Sequence, residues 1–184
     1  MALLIRLARE EDAGALAALY RPYVEASPIS FEEEAPSPAE MARRLVGDLP
    51  GYHPWFVAEE SSNLIGSATI TPFRTRPPYR WTVETGVYLA PQAIGRGLGR
   101  ALLSRLLAVL EAQGYVAAIG AIALPNEASV ALHEKLGFAH NGTYRQVGFK
   151  MGEWLDVGLW QRELARRSST PVEPMPFQSV GALE

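Results

Sequence analysis

The chain is 184 residues long, 48% hydrophobic, and carries a formal net charge of -3. This length and apolar content suit one domain with a real core. The acidic balance leaves no electrostatic footprint for nucleic acid, and the absence of cysteine excludes disulfides and a thiol nucleophile.

Leu3 to Leu7 reads as a short strand, and Glu10 to Glu25 as a helix with Ala13, Leu16, Ala17 and Tyr20 near one face. Ser37-Pro38-Ala39-Glu40 is a helix start: Ser as N-cap, Pro in the first turn, and Glu three residues on as a capping box. That helix is expected to reach Leu49 and stop before Pro50-Gly51. Trp55 to Glu59 and Leu64 to Thr71 read as strands joined by a turn at residues 60–63, and Trp81 to Leu89 as the next strand. Leu98, Leu102, Leu106 and Leu110 mark the buried face of a helix running to about Gly114. Val116 to Leu124 is small and apolar, as in a strand buried on both faces. Asn126 to Leu136 reads as a short helix, and Phe138 to Phe149 and Trp154 to Arg162 as two final antiparallel strands around a Gly148–Gly152 turn. The order predicts a mixed α/β domain over residues 1–164. Residues 165–184, with Ser168-Ser169-Thr170-Pro171 and Pro174-Met175-Pro176, read as an extended or disordered tail. No run approaches the ~20 apolar residues of a membrane span. Charged residues interrupt the start where an export signal would be apolar, so the expected location is the cytoplasm, with no membrane partner.

The most informative segment is Gln92-Ala93-Ile94-Gly95-Arg96-Gly97-Leu98-Gly99-Arg100, between a strand and a helix. Alternate glycines leave backbone amides uncovered, and a helix N-terminus adds free N–H groups and a positive dipole end, together a phosphate or pyrophosphate site. The dinucleotide pattern G-x-G-x-x-G fails, because Arg100 stands where the last glycine would be, and no Gly-Lys-Ser/Thr of a Walker loop is present.

What remains, Gln-x-x-Gly-x-Gly followed by Leu-Gly-x-x-Leu-Leu, resembles the signature of the GNAT acetyltransferases. A second block, Asn126 followed by a short helix ending in Leu136-Gly137-Phe138, is similar to that family's second signature. Trp81-Thr82-Val83-Glu84, Leu132-His133-Glu134, Gly148-Phe149-Lys150 and Trp154-Leu155-Asp156-Val157 resemble its phosphinothricin/methionine sulfoximine N-acetyltransferase branch, over about residues 3 to 164. The resemblance implies the GNAT fold, a mixed and mostly antiparallel sheet flanked by helices. It implies acetyl-CoA as co-substrate, no metal, and a homodimer. It places the pyrophosphate on Gln92, Gly95, Arg96, Gly97, Leu98, Gly99 and Arg100, the thioester carbonyl and pantetheine arm on the backbone of Val87, Tyr88 and Leu89, and a further coenzyme A contact on Asn126 and Ser129.

Strand alternation puts Glu84, Gly86 and Tyr88 on one face and Val83, Thr85, Val87 and Leu89 on the other. A carboxylate among aromatic neighbours is partly desolvated, which raises its pKa toward that of a useful base; a solvated strand glutamate is the alternative. The resemblance implies Glu84 as general base and His133 as the acid that protonates departing coenzyme A, or as a ligand holder. Arg74, Arg76 and Arg80 make a basic loop before Glu84 that suits a carboxylate and a phosphinate or sulfoximine group, if it is not simply solvated. Phe31, Tyr79 and Trp81 are candidate apolar walls, and Lys150 and Tyr144 could approach from the last hairpin. The expected activity is acetylation of the α-amine of a small amino acid analogue, phosphinothricin or methionine sulfoximine, as detoxification. The alternatives are another amine acceptor (a protein N-terminus, a polyamine) or a silent coenzyme A sensor.

Overall fold

The computed structural model describes residues 3–47 and 51–180. One seven-stranded sheet organises the chain, with strands β1 (Leu3–Leu7), β2 (Phe56–Glu60), β3 (Asn63–Pro72), β4 (Thr82–Leu89), β5 (Ala117–Leu124), β6 (Ala139–Lys150) and β7 (Glu153–Glu163) in the order β1-β2-β3-β4-β5-β7-β6. Every neighbouring pair is antiparallel except β4 and β5. The parallel pair is short. It joins Thr82, Val83 and Glu84 to Ala117, Ala118 and Ile119 and goes no further, although β4 continues to Leu89 and β5 to Leu124. The sheet therefore opens into a V between two strands whose facing backbone groups are unpaired with each other.

Helices cover both faces. Helices α1 (Ala13–Glu25) and α2 (Pro38–Val46) lie over the face that carries Val57, packing Ala13, Leu16, Ala17 and Met41 against it. The pairings Val57↔Ser67, Ser67↔Tyr88 and Thr71↔Glu84 put Glu84 on this same face. Helices α3 (Leu98–Gln113) and α4 (Glu127–Lys135) cover the other face, where Leu102, Leu103, Leu106 and Leu110 join Phe56, Ala68, Ala118 and Trp160 in the larger core.

The element boundaries differ from the sequence reading where side chains compete for the backbone. The first helix begins with a single tight turn at Glu10–Asp12 before α1, because Asp12 is drawn to Arg6 (2.7 and 2.9 Å) and to the Arg9 amide (2.7 Å). Ser37 does cap α2 by accepting from the Glu40 amide (3.1 Å), but the Glu40 carboxylate turns to Arg44 (3.1 Å) and Arg43, and the described helix ends at Val46. The expected stop beyond it, Asp48 to Pro50, lies outside the described residues. The last hairpin turns on Met151 and Gly152 alone, both at positive φ, so β6 and β7 run longer than their hydrophobic pattern suggested.

After Leu164 the chain has no regular element until the short α5 (Phe177–Val180), yet it is tied down. Gln113, wholly buried at the end of α3, donates from Nε2 to Tyr52 O (3.0 Å) and Met175 O (2.8 Å), and the Met175 amide returns a bond to Gln113 O (2.8 Å). The Phe177 amide reaches Gly51 O (2.7 Å).

Candidate active site

A cavity of about 690 Å³ opens between α1, α2 and the Glu84 face of the sheet. Glu84, Gly86 and Tyr88 from β4, Ser67 and Thr69 from β3, Tyr20 from α1, Arg44 from α2, and Glu32, His53 and Trp55 from the connecting segments line it. Glu84 is half-buried. Burial pushes its carboxyl pKa up, and the Arg74 guanidinium, 3.6 Å away, only partly opposes this. A carboxylate held in that condition is a better proton acceptor for an amine than an ordinary surface glutamate.

The V-shaped split adjoins this cavity. The Ala90 amide bonds Ile65 O on β3 (2.9 Å), whereas Leu89 presents both its N–H and its C=O to the Tyr23 hydroxyl (3.1 and 2.6 Å). Backbone groups alternate along a strand, so those of Thr85, Val87 and Leu89 face the split, while those of Glu84, Gly86 and Tyr88 pair with β3. Val87 thus offers its amide to a chain lying in the split, and Thr85 sends its hydroxyl across to Ile119 O (3.2 Å). Leu89 is already engaged by Tyr23. Tyr88 is packed edge-on by Tyr20 and Tyr23 (4.7 and 5.0 Å between centroids), and burial pushes its phenol pKa up.

At the mouth of the split lies the glycine loop. Gly95 and Gly97 adopt φ of +79° and +80°, and a Cβ at either would meet nothing within 4 Å, so the backbone is bare toward solvent. Gly97 is the N-cap of α3, whose first amides point at the same space. Gln92 and Arg100 are exposed there. Arg96 is engaged by Glu60 (2.6 and 3.1 Å), and Leu98 sends its side chain into the core, leaving only backbone for a ligand. Gly99 serves packing, with Leu132 3.2 Å from where its Cβ would stand.

On α4, Asn126 caps the helix by accepting from the Ser129 amide (3.1 Å). His133 is buried. Its Nδ1 lies 2.8 Å from Ser129 O, and a carbonyl can only accept, so Nδ1 carries the proton. Burial pushes the His133 pKa down, more than the Ser129 contact raises it, which favours neutral imidazole over the imidazolium expected from sequence. Nε2 is then an acceptor, buried and without a hydrogen-bond partner among the described residues. The ring rests on Gly120, where a Cβ would stand 2.6 Å from His133 Cδ2. Ile119 pairs with Glu84 and Gly120 is the next residue, so carboxylate and imidazole approach the split from opposite faces of the sheet.

The basic loop is dispersed by the fold. Arg74 stays beside Glu84, its guanidinium over Phe73 (4.5 Å). Arg76 is exposed, and Tyr79 packs edge-on against Phe73 (5.6 Å) outside the cavity. Arg80 forks onto Glu173 (2.6 to 2.8 Å), and Trp81, under the Arg80 guanidinium (3.9 Å), donates to Val172 O (2.8 Å); both belong to the tail contact. Phe31 packs over Gly148, Tyr144 is exposed on β6, and the Lys150 ammonium is used elsewhere. The charged wall that the sequence did not suggest is Tyr20, Glu32 and Arg44. Glu32 receives Arg44 in a fork (2.8 and 3.0 Å) and the Tyr20 hydroxyl (2.9 Å), and Arg44 holds the Glu32 pKa below the usual carboxylate range.

A bare glycine loop at a helix N-terminus, an opened strand pair leading from it, and a base in a cavity beside that opening define a class of enzyme. It is the class of acyltransferases that use a phosphate-bearing donor. The Acetyltransferase (GNAT) domain model matches residues 5–159, and the chain belongs to that family of acetyl-CoA-dependent N-acetyltransferases. It is 39% identical over 176 residues to the phosphinothricin N-acetyltransferase of Streptomyces viridochromogenes, covering 96% of this chain and 93% of that one. It is 39% identical over 123 residues to the L-methionine sulfoximine/L-methionine sulfone acetyltransferase of Salmonella typhimurium, covering 67% and 69%. Among solved structures, a GNAT superfamily phosphinothricin acetyltransferase from Sinorhizobium meliloti in complex with acetyl-CoA superposes with a TM-score of 0.88 at 38% identity, covering 94% of this chain and 95% of that one. The split strands, bare glycine loop and unpartnered His133 Nε2 fit that donor.

Proposed function

We propose that this enzyme acetylates the α-amine of a small amino acid whose side chain ends in a tetrahedral polar group, with phosphinothricin, methionine sulfoximine and methionine sulfone as the first candidates. The observation that carries the reading is the Glu84–Arg74 pair (3.6 Å) at a cavity next to the split. The activated acetyl thioester is what acetyl-CoA supplies. Glu84, with its raised pKa, takes the proton of the incoming ammonium, directly or through a water. Arg74 meets an acceptor oxyanion, and Arg76, exposed on the same loop, can fold toward it. The Val87 amide is placed to donate to the thioester oxygen. The loop of Gly95, Arg96, Gly97 and Gly99 with the first turn of α3 holds the pyrophosphate, and His133 Nε2 accepts a hydrogen bond from the donor. Acetylation removes the α-amine charge, so detoxification in the cytoplasm is the role this chemistry serves. Among the described residues, no helix is long and apolar enough to cross a membrane.

The enzyme is proposed to be a homodimer. Support comes from the edge strand β6 and its hairpin, where Tyr144, Val147, Phe149, Met151 and Trp154 stand 48–62% exposed, an apolar strip on an unpaired sheet edge. Light scattering of the purified protein tests this, and a monomer at micromolar concentration refutes it. The function is tested by free-thiol release from acetyl-CoA with methionine sulfoximine, methionine sulfone, phosphinothricin, glutamate, a polyamine and a peptide. Turnover confined to the first three supports the reading, and turnover only with the polyamine or the peptide overturns it.

A further inference from the structure

Of the 17 basic residues, only Lys135 and Lys150 are lysines, so the chain uses arginine almost wherever it needs a positive charge. Lys135 is exposed on α4. Lys150, at the end of β6, places Nζ 2.6 Å from Val24 O, 2.6 Å from Ser30 O and 2.9 Å from Glu32 O. An ammonium has three donors, and here each has a backbone carbonyl. A guanidinium presents its donors in a plane and cannot gather three carbonyls around one point, which gives a reason for lysine at this position.

The three carbonyls belong to the end of α1 and the segment that follows it. The same segment builds the acceptor-side wall of the Glu84 cavity. Ser30 Oγ lies 2.6 Å from the Tyr20 hydroxyl, and the Glu32 carboxylate takes that hydroxyl and the Arg44 fork. Tyr20, Glu32 and Arg44 line the cavity with Glu84, and Lys150 does not. Beside the ammonium, Phe31 lies so close over Gly148 that a Cβ there would be 2.2 Å from its ring. The hairpin at the far edge of the sheet is thus interlocked with the cavity wall through one charged and one apolar contact.

We propose that Lys150 is a positioning residue for the acceptor: by gathering the carbonyls of Val24, Ser30 and Glu32, it holds the Tyr20–Glu32–Arg44 wall in its binding geometry. The inference rests on the reading that this cavity takes the acceptor, and it separates the two substrates. The glycine loop and strands β4 and β5 lie on other elements, and Tyr23, which meets Leu89 in the split, stays within hydrogen-bonded α1, so loss of the ammonium should leave the donor site intact.

The test uses the full chain with Lys150→Met, Lys150→Gln, Lys150→Arg and, as control, Lys135→Met. One arm is hydrogen–deuterium exchange over residues 24–33, where the Ala26 and Glu32 amides are hydrogen-bonded to Pro22 O and Ser30 Oγ. The other is steady-state kinetics with methionine sulfone and acetyl-CoA varied in turn. Lys150→Met and Lys150→Gln are expected to exchange at least tenfold faster in that segment. Their acceptor KM should rise at least tenfold, with acetyl-CoA KM within twofold of wild type. Lys150→Arg should fail to restore acceptor KM, and Lys135→Met should match wild type in both arms. Unchanged exchange at residues 24–33, or equal increases in both KM values, overturns the proposal. If wild type acetylates none of the amines tested, the proposed function fails on its own. The exchange arm still decides the anchor: lost protection upholds it, and retained protection overturns it.

Discussion

Gly120→Ala is the sharpest probe of how His133 is held. An alanine Cβ at residue 120 would stand 2.6 Å from His133 Cδ2 and 2.7 Å from Nε2. The ring would have to retreat by about 0.8 Å to reach an ordinary 3.4 Å contact, and three features resist that. Nδ1 is bonded to Ser129 O (2.8 Å), Phe138 packs edge-on at 4.9 Å, and the residue is only 4% exposed. Overpacking of this kind costs about 1–3 kcal/mol. For a chain of this size each kcal/mol lowers the Tm by roughly 2–4 °C, so a fall of about 2–12 °C is expected in a calorimetric or fluorescence melt. A displacement approaching 1 Å beside the reacting atoms can lower kcat by up to ~10²-fold. Because the strain is specific to one contact, Gly120→Ala combined with His133→Ala should cost less than the sum of the two single changes, by more than the ~0.5 kcal/mol scatter of independent sites. Strict additivity, or a Gly120→Ala protein with unchanged Tm and kcat, would refute the claim that the glycine is there for the imidazole.

Glu84→Gln is expected to lower kcat by about 10²- to 10⁴-fold, measured as thiol release. The wild-type kcat/KM should rise with pH through a pKa above the usual carboxylate range, a limb missing in the variant. Between the unfolded pKa and the raised folded value the native state holds more protons, so ionised Glu84 lowers stability as pH rises through that window. The melting advantage of the glutamine variant should therefore be larger at pH 7.5 than at pH 4. His133 should titrate below its ordinary value by NMR with the proton on Nδ1. Because its pKa is lowered in the native state, it should contribute to loss of stability as pH falls through the unfolded value near 6.5; a titration at or above 6.5 contradicts the burial argument. Tyr23→Phe removes the hydroxyl that bridges Leu89 N–H and C=O, and should cost about 0.5–1.5 kcal/mol in denaturant melts while speeding exchange of the Leu89 amide. Unchanged exchange there would place the Leu89 bond elsewhere.

Much of this was legible in the sequence, because it is written in short-range patterns. Leu102, Leu106 and Leu110 repeat at helical spacing and are wholly buried; Ser37 caps α2 as its neighbours implied. The bare backbone at Gly95 and Gly97, and a half-buried Glu84 with a raised pKa, follow from a glycine loop and an alternating strand. What was illegible depends on pairing between distant residues. That β4 and β5 part after Glu84 is a matter of register, which neither strand encodes alone. Arg80 and Trp81 looked like partners of Arg74 and Arg76 along the chain, but contacts more than 90 residues away recruit them to the tail. Glu32 and Arg44 stand apart in the sequence with no motif to join them, yet the fold brings them into a forked ion pair on one wall of the cavity. The single acidic or basic letter does not say which way its side chain turns.

The docked tail has a mechanical consequence. Trp81, at the closed end of the β4–β5 pair, is bound on one side to the amides of Val116 and Ala117 through its carbonyl, and on the other to Val172 through its indole. Arg80 beside it is clamped by Glu173, and the same stretch of tail is fastened to α3 at Gln113. The two strands therefore behave like tongs with a bound pivot. The paired end, residues 82–84 against 117–119, closes the split on the side of residues 80–81, and the Leu89 and Leu124 ends leave it open toward the glycine loop. The depth of the split, whose closed end lies at Glu84 and Ile119, is fixed by where the pivot begins.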